Sequence, residues 1–129
     1  MKIGYFADGP WAHKAFERLT KDSSLEIVFM TVRYGRRDKI LLSLADRHGI
    51  PVEISNNINS QEFLKCIKKY NADLFVSMSF DQIFRSEIMN LPIYKTINCH
   101  AGKLPFYRGR NILNWVLIND EKEFGITVH

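Results

Sequence analysis

Apolar residues alternate along the chain between short continuous runs and helical spacing. Lys2 to Ala7 reads as a buried strand, Asp8-Gly9-Pro10 as a turn, and Trp11 to Leu19 as a helix with apolar positions three and four apart. The cycle repeats with Leu25 to Val32, rich in β-branched and aromatic residues, followed by Ile40, Leu41, Leu44 and Ala45 at helical intervals up to a stop at Gly49. Pro51 to Ile54 predicts a brief strand. Ser60 and Glu62 open a helix carrying Phe63, Leu64, Ile67 and Tyr70, and Leu74 to Met78 is a further apolar strand. Phe80 to Met89 reads as a loop and short helix, Lys95 to Cys99 as a strand, Ile112 to Ile118 as a helix, and Gly125 to His129 as the start of another strand. Strands alternating with helices imply right-handed crossovers and a doubly wound, mainly parallel α/β sheet covered on both faces. Ligands of such sheets bind beyond the carboxyl ends of the strands, which directs the search to residues just after Ala7, Val32, Met78 and Cys99.

Composition narrows the class. A chain of 129 residues with 46% apolar residues supports one compact core and one domain. No run approaches the roughly 20 apolar residues of a membrane span, and the start lacks a secretory segment, so a cytoplasmic protein without membrane contact is expected. Cys66 and Cys99 have neither disulfide nor metal-ligand spacing and are expected to be buried thiols, with no metal implied. The net charge of +4 is spread along the chain, which suits a solvated surface better than a nucleic-acid platform. Its one dense cluster, Arg33, Arg36, Arg37 and Lys39, fits a phosphate contact and a polar connector equally well.

Candidate chemistry begins at Asn98-Cys99-His100, the end of a predicted inner strand. Residues two apart on a strand share a face, so Asn98 and His100 can project together. Formyl or acyl transfer to an amine needs a donor for the developing oxyanion and an acceptor for the amine proton, and an amide and an imidazole supply them. A lone Asn-x-His is weak evidence, since a strand-end histidine and a turn asparagine are common structural features. The sequel is more specific: Lys103-Leu104-Pro105-Phe106-Tyr107-Arg108-Gly109-Arg110-Asn111, then Leu113-Asn114-Trp115, then Gly125-Ile126-Thr127-Val128-His129.

Asn-x-His followed by Leu-Pro-x-Tyr-Arg-Gly, a nearby Trp and a Gly-Ile-Thr-Val-His strand resembles the signature of the 10-formyltetrahydrofolate-dependent formyltransferases. The match is strongest from Thr96 to His129 and architectural before that, and it implies a Rossmann-like formyltransferase amino-terminal domain over residues 1–129. Arg108-Gly-Arg-Asn-x-Leu-Asn-Trp looks more like the branch that formylates nucleotide-linked amino sugars. Methionyl-tRNA formyltransferases typically carry an extended basic loop after the second strand, where Tyr34 to Asp38 is here a short connector.

The resemblance implies Asn98 and His100 as catalytic residues and 10-formyltetrahydrofolate as the formyl donor. Ser79, Phe80, Asp81 and Gln82 would form the rim of the pterin pocket, joined at the folate by Leu104, Tyr107 and Arg108 from a loop stiffened by Pro105 and turned by Gly109. Asp8, Gly9 and Trp11 at the start of the first helix, with Arg33 and Lys103, are the candidate contacts to a UDP- or dTDP-linked amino sugar destined for a surface glycan such as lipopolysaccharide. The first turn is no G-x-G-x-x-G fingerprint, which disfavours a nicotinamide. Trp115 is expected in the core and His13 on the surface. The family's third catalytic residue is an Asp beyond the Thr-Val-His strand, so the chain is expected to be incomplete at its carboxyl end and inactive alone, with a homodimer in the full-length protein. The alternatives are a methionyl-tRNA formyltransferase-like enzyme and a non-catalytic fragment that binds folate or nucleotide.

Overall fold

The computed structural model describes all residues, 1–129, and the chain divides into two compact units, Met1–Ile97 and Asn98–His129. In the first unit, β1 (Lys2–Ala7) lies parallel between β2 (Glu26–Val32) and β3 (Leu74–Met78). Helices α1 (Gly9–Leu19), α2 (Lys39–Arg47), α3 (Gln61–Lys68) and α4 (Ser86–Met89) connect these strands, and β4 (Thr96–His100) follows. The second unit holds the end of β4, α5 (Ile112–Ile118) and β5 (Thr127–Val128), which runs antiparallel to β4. The hydrogen-bonded strand order is β2-β1-β3-β4-β5, a mainly parallel sheet as expected.

Alternation along β1 decides how the first unit is layered. Ile3, Tyr5 and Ala7 face α1 and α2, packing with Ala12, Phe16, Leu41, Leu44 and Ala45. Phe6 faces the other way, into a cluster with Phe29, Phe63, Leu64, Ile67, Phe75 and Ile88 from α3, α4 and the flanking strands and with Ile58 from the turn before α3. Helices therefore cover both faces. The β1–β2 register shifts between Ile3, paired with Ile27, and Gly4, paired with Phe29. That bulge lets Ile27, Met30 and Val32 share one face while Phe29 enters the other. Gly4 makes the second packing possible, because a Cβ there would sit 2.6 Å from ring carbons of both Phe29 and Phe75.

Three elements differ from the sequence reading. The strand expected at Pro51–Ile54 is a single parallel bridge between Met30 and Val52, made by Met30 N–H to the Pro51 carbonyl and Glu53 N–H to the Met30 carbonyl; Pro51, with no N–H, cannot extend it backwards. Helix α1 begins at Gly9 rather than Trp11, with Pro10 in its first turn, where a missing N–H costs nothing. Trp115 is 53% exposed; the buried side chains of α5 are Ile112 and Val116.

Candidate functional site

In the second unit, Cys99 pairs with Val128 and His100 with Thr127, and backbone hydrogen bonds run both ways between Asn98 and His129. Alternation then places Asn98, His100, Thr127 and His129 on one face of the pair and Cys99 and Val128 on the other. The Asn98 amide nitrogen donates to His129 Nε2 at 3.2 Å. An amide group has two hydrogens, so one remains for an incoming oxygen. His100 is half-buried, and its Nε2 donates to the main-chain carbonyl of Tyr107 at 2.6 Å. His129 next to Asn98 was not singled out as a site residue from sequence; the signal available was the two-residue spacing of Thr127 and His129 on a strand that pairs with β4.

The segment after β4 folds back on itself. Thr127 Oγ1 donates to the Gly102 carbonyl at 2.8 Å and accepts from the Leu104 N–H at 3.2 Å. Leu104–Pro105 is a cis peptide, and Gly109 takes φ 90°, a conformation that disfavours any side chain. The Tyr107 hydroxyl donates to Glu121 at 2.6 Å and accepts from the Asn119 amide at 3.2 Å, and the Glu121 carboxylate raises the phenol above its ordinary pKa. Tyr107 and Lys103 border an open cavity of about 620 Å³ with Phe106, Val116, Asp120, Glu121 and other residues of the α5–β5 connection. Arg108 is exposed.

In the first unit, the residues following three parallel strands converge. Arg33, directly after β2, places its guanidinium 2.7 Å from Asp8, directly after β1, and 3.2 Å from Asp81, in the loop after β3. Burial pushes the Asp8 carboxyl above the usual carboxylate range, and Arg33 offsets only part of that. Asp38 is a second junction. One of its oxygens caps α2 through the N–H groups of Ile40 and Leu41, while the other accepts from the Gly9 N–H at 3.0 Å and meets His13 Nε2 at 2.7 Å. Burial alone would raise the Asp38 carboxyl, but the Leu41, His13 and Gly9 donors outweigh it and hold it below the usual range. Sequence reading missed this junction, although Asp38 before an apolar-periodic segment is an N-cap signal. His13 is correspondingly covered rather than a surface residue, its side chain 15% exposed. Among the residues expected from sequence to contact a nucleotide sugar, the Gly9 N–H is therefore already engaged by a carboxylate, Arg33 faces two carboxylates, and Trp11 stands 61% exposed.

The loop expected at the pterin rim is anchored by its side chains. Ser79 adopts a left-handed φ of 57°. Phe80 packs edge-on against Phe6 and Phe84. Asp81 pairs with Arg33, and Gln82 accepts from the Ile58 N–H at 3.0 Å and donates to the Ser55 carbonyl at 2.8 Å. The side chains of Phe80, Asp81 and Gln82 therefore each have a partner that holds this loop in place.

A family model described as Formyl transferase matches residues 2–129. The chain belongs to the formyl transferase family. Among the relatives of this formyl transferase chain, the methionyl-tRNA formyltransferase of Caldanaerobacter subterraneus subsp. tengcongensis is 34% identical over 135 residues, covering 98% of this chain and 44% of the relative. The Geobacter metallireducens methionyl-tRNA formyltransferase is 42% identical over 84 residues, covering 65% of this chain and 27% of the relative. The bifunctional polymyxin resistance protein ArnA of Wigglesworthia glossinidia brevipalpis is 39% identical over 83 residues, covering 64% and 13%. The chain thus spans less than half the length of these curated relatives. In fold it is similar to the phosphoribosylglycinamide formyltransferase of Anaplasma phagocytophilum, with TM-score 0.82 and 21% identity over all of this chain and 63% of that one. No helix is long and apolar enough to cross a membrane.

Proposed function

We propose that this formyl transferase moves the formyl group of 10-formyltetrahydrofolate to the amine of a nucleotide-linked amino deoxysugar, with residues 1–129 as the amino-terminal part of the enzyme. The observation that carries the chemistry is the face of β4 that presents Asn98 and His100 together. The free amide hydrogen of Asn98 stabilises the oxyanion formed as the amine attacks the formyl carbon, and His100 accepts the proton that the amine sheds. The carbon–nitrogen bond to the donor then breaks, and the proton passes to the departing folate nitrogen. When bound, the folate supplies an activated one-carbon carbonyl. Within the first unit, the anchored Ser79–Gln82 segment fits the edge of a pterin, which main-chain donors and acceptors can read. Leu104, Tyr107 and Arg108 are the remaining candidates for the donor, with Asp8, Gly9, Trp11, Arg33 and Lys103 for the acceptor.

The sugar acceptor is favoured by the connector between β2 and α2. It runs only from Arg33 to Asp38, and its two ends are tied down in the ion pair with Asp8 and in the cap of α2, leaving no extended basic loop for tRNA. The second reading is formyl transfer to methionyl-tRNA, favoured by relatives of that name at 34% and 42% identity. Full-length protein incubated with the folate donor and, in turn, dTDP- and UDP-linked amino sugars and methionyl-tRNA separates the two by which product gains the formyl mass. Formylation of the tRNA alone assigns the second reading. Saturable donor binding without any product assigns a non-catalytic binding fragment. Asn98→Ala and His100→Ala should each lower kcat by on the order of 10²-fold or more while leaving the urea midpoint nearly unchanged, and near-normal turnover in either removes its assigned role.

A further inference from the structure

We infer that the main-chain carbonyl of Tyr107 fixes His100 with a proton on Nε2, so that proton exchange at this imidazole runs through Nδ1, and that Gly102 is the residue which makes this possible. The inference deepens the assignment of His100 as proton acceptor and rests on that reading. A carbonyl oxygen can only accept, so a contact of 2.6 Å between it and Nε2 requires the hydrogen on that nitrogen, whether the ring is neutral or charged. In the neutral ring, Nδ1 then carries the lone pair.

Gly102 lies directly beneath this contact. A Cβ at residue 102 would overlap the Tyr107 carbonyl oxygen and lie 2.7 Å from His100 Nε2 and 3.0 Å from Cδ2. Gly102 is not among the glycines with positive φ, so space rather than backbone conformation demands a glycine here. The rest of the loop holds the carbonyl in place. The Gly102 N–H donates to the His100 carbonyl at 2.9 Å, and Thr127 Oγ1 receives Leu104 and grips the Gly102 carbonyl. On the far side, Glu121 and Asn119 pin the Tyr107 hydroxyl, fixing the residue that supplies the acceptor. Gly102, Tyr107 and Thr127 are thus positioning residues, acting on the reaction through the imidazole they orient and whose tautomer they set.

The test is long-range proton–nitrogen correlation NMR of full-length protein labelled at histidine, recorded where the ring is neutral, with His100→Gln supplying the assignment. His100 is expected as the Nε2–H tautomer. A ring protonated on Nδ1 overturns the inference, whatever the activity. Gly102→Ala should shift the His100 signals toward a tautomer mixture and lower kcat on the order of 10²-fold, with KM for the formyl donor little changed. Unchanged signals and turnover in a folded Gly102→Ala protein also overturn it. Should Gly102→Ala fail to fold, Tyr107→Phe supplies the second variant: it keeps the carbonyl, loses the Glu121 brace, and is expected to broaden the tautomer signature with a smaller loss of kcat. A wild-type Nε2–H ring in a protein that formylates no amine sinks the functional reading while leaving the tautomer assignment standing.

Discussion

At Gly4 the core leaves no room for a methyl group, since the three ring carbons nearest a Cβ, two of Phe29 and one of Phe75, belong to buried side chains. Gly4→Ala should cost about 1–3 kcal/mol, read as a lower urea midpoint with an unchanged m-value. Asp38 gives a pH-dependent counterpart. Its folded carboxyl is held below the ordinary value, so the stability it contributes is complete above the unfolded carboxylate's pKa of about 3.9 and is lost as pH falls through the folded value. Asp8 has the opposite sign: its folded carboxyl is raised, so its contribution weakens as pH rises through the folded value. Urea midpoints should therefore fall less steeply in Asp38→Asn than in the parent as pH drops below about 4. Single residues were unevenly legible in the sequence. Asn98 and His100 stood out because the motif after them is specific. His13 did not, because its partner lies far along the chain and no local pattern announces a helix residue meeting the cap of another helix.

Elements with a strong period were easier to read. Ser60 before Phe63 and Leu64 marked the start of α3, and its hydroxyl accepts from the Phe63 N–H at 3.2 Å. Ser60→Ala should cost about 1 kcal/mol of stability, measurable in the same urea titration. The Pro51–Ile54 segment looked like a strand because its apolar content suits one. Whether it pairs over several residues depends on the edge it meets, and a proline at its start, lacking an N–H, keeps the bridge from extending backwards. The direction of β5 was equally illegible, since hydropathy records burial and not the heading in which a connection returns the chain. Trp115 shows the limit of helical spacing on a helix as short as α5, where Ile112 and Val116 already fill the buried stripe.

For the whole molecule, the doubly wound arrangement followed from alternation alone, and the carboxyl-end rule led to Asp8, Arg33, Asp81 and His100. It did not show that Arg33 would meet two carboxylates, which is a matter of side-chain geometry across three loops. If the protein takes a folate donor, a non-reactive donor analogue at about 100 times its Kd should stabilise the full-length protein by about 2.7 kcal/mol, seen as a concentration-dependent rise in Tm. A Tm indifferent to the analogue would count against the proposed donor.

Asp38 also links segments that local structure would leave independent. Because the same carboxylate receives the amide hydrogens of Gly9 and Leu41, loosening the start of either helix removes the acceptor of the other. In deuterated buffer those two amides should exchange as one cooperative opening, with protection lost together.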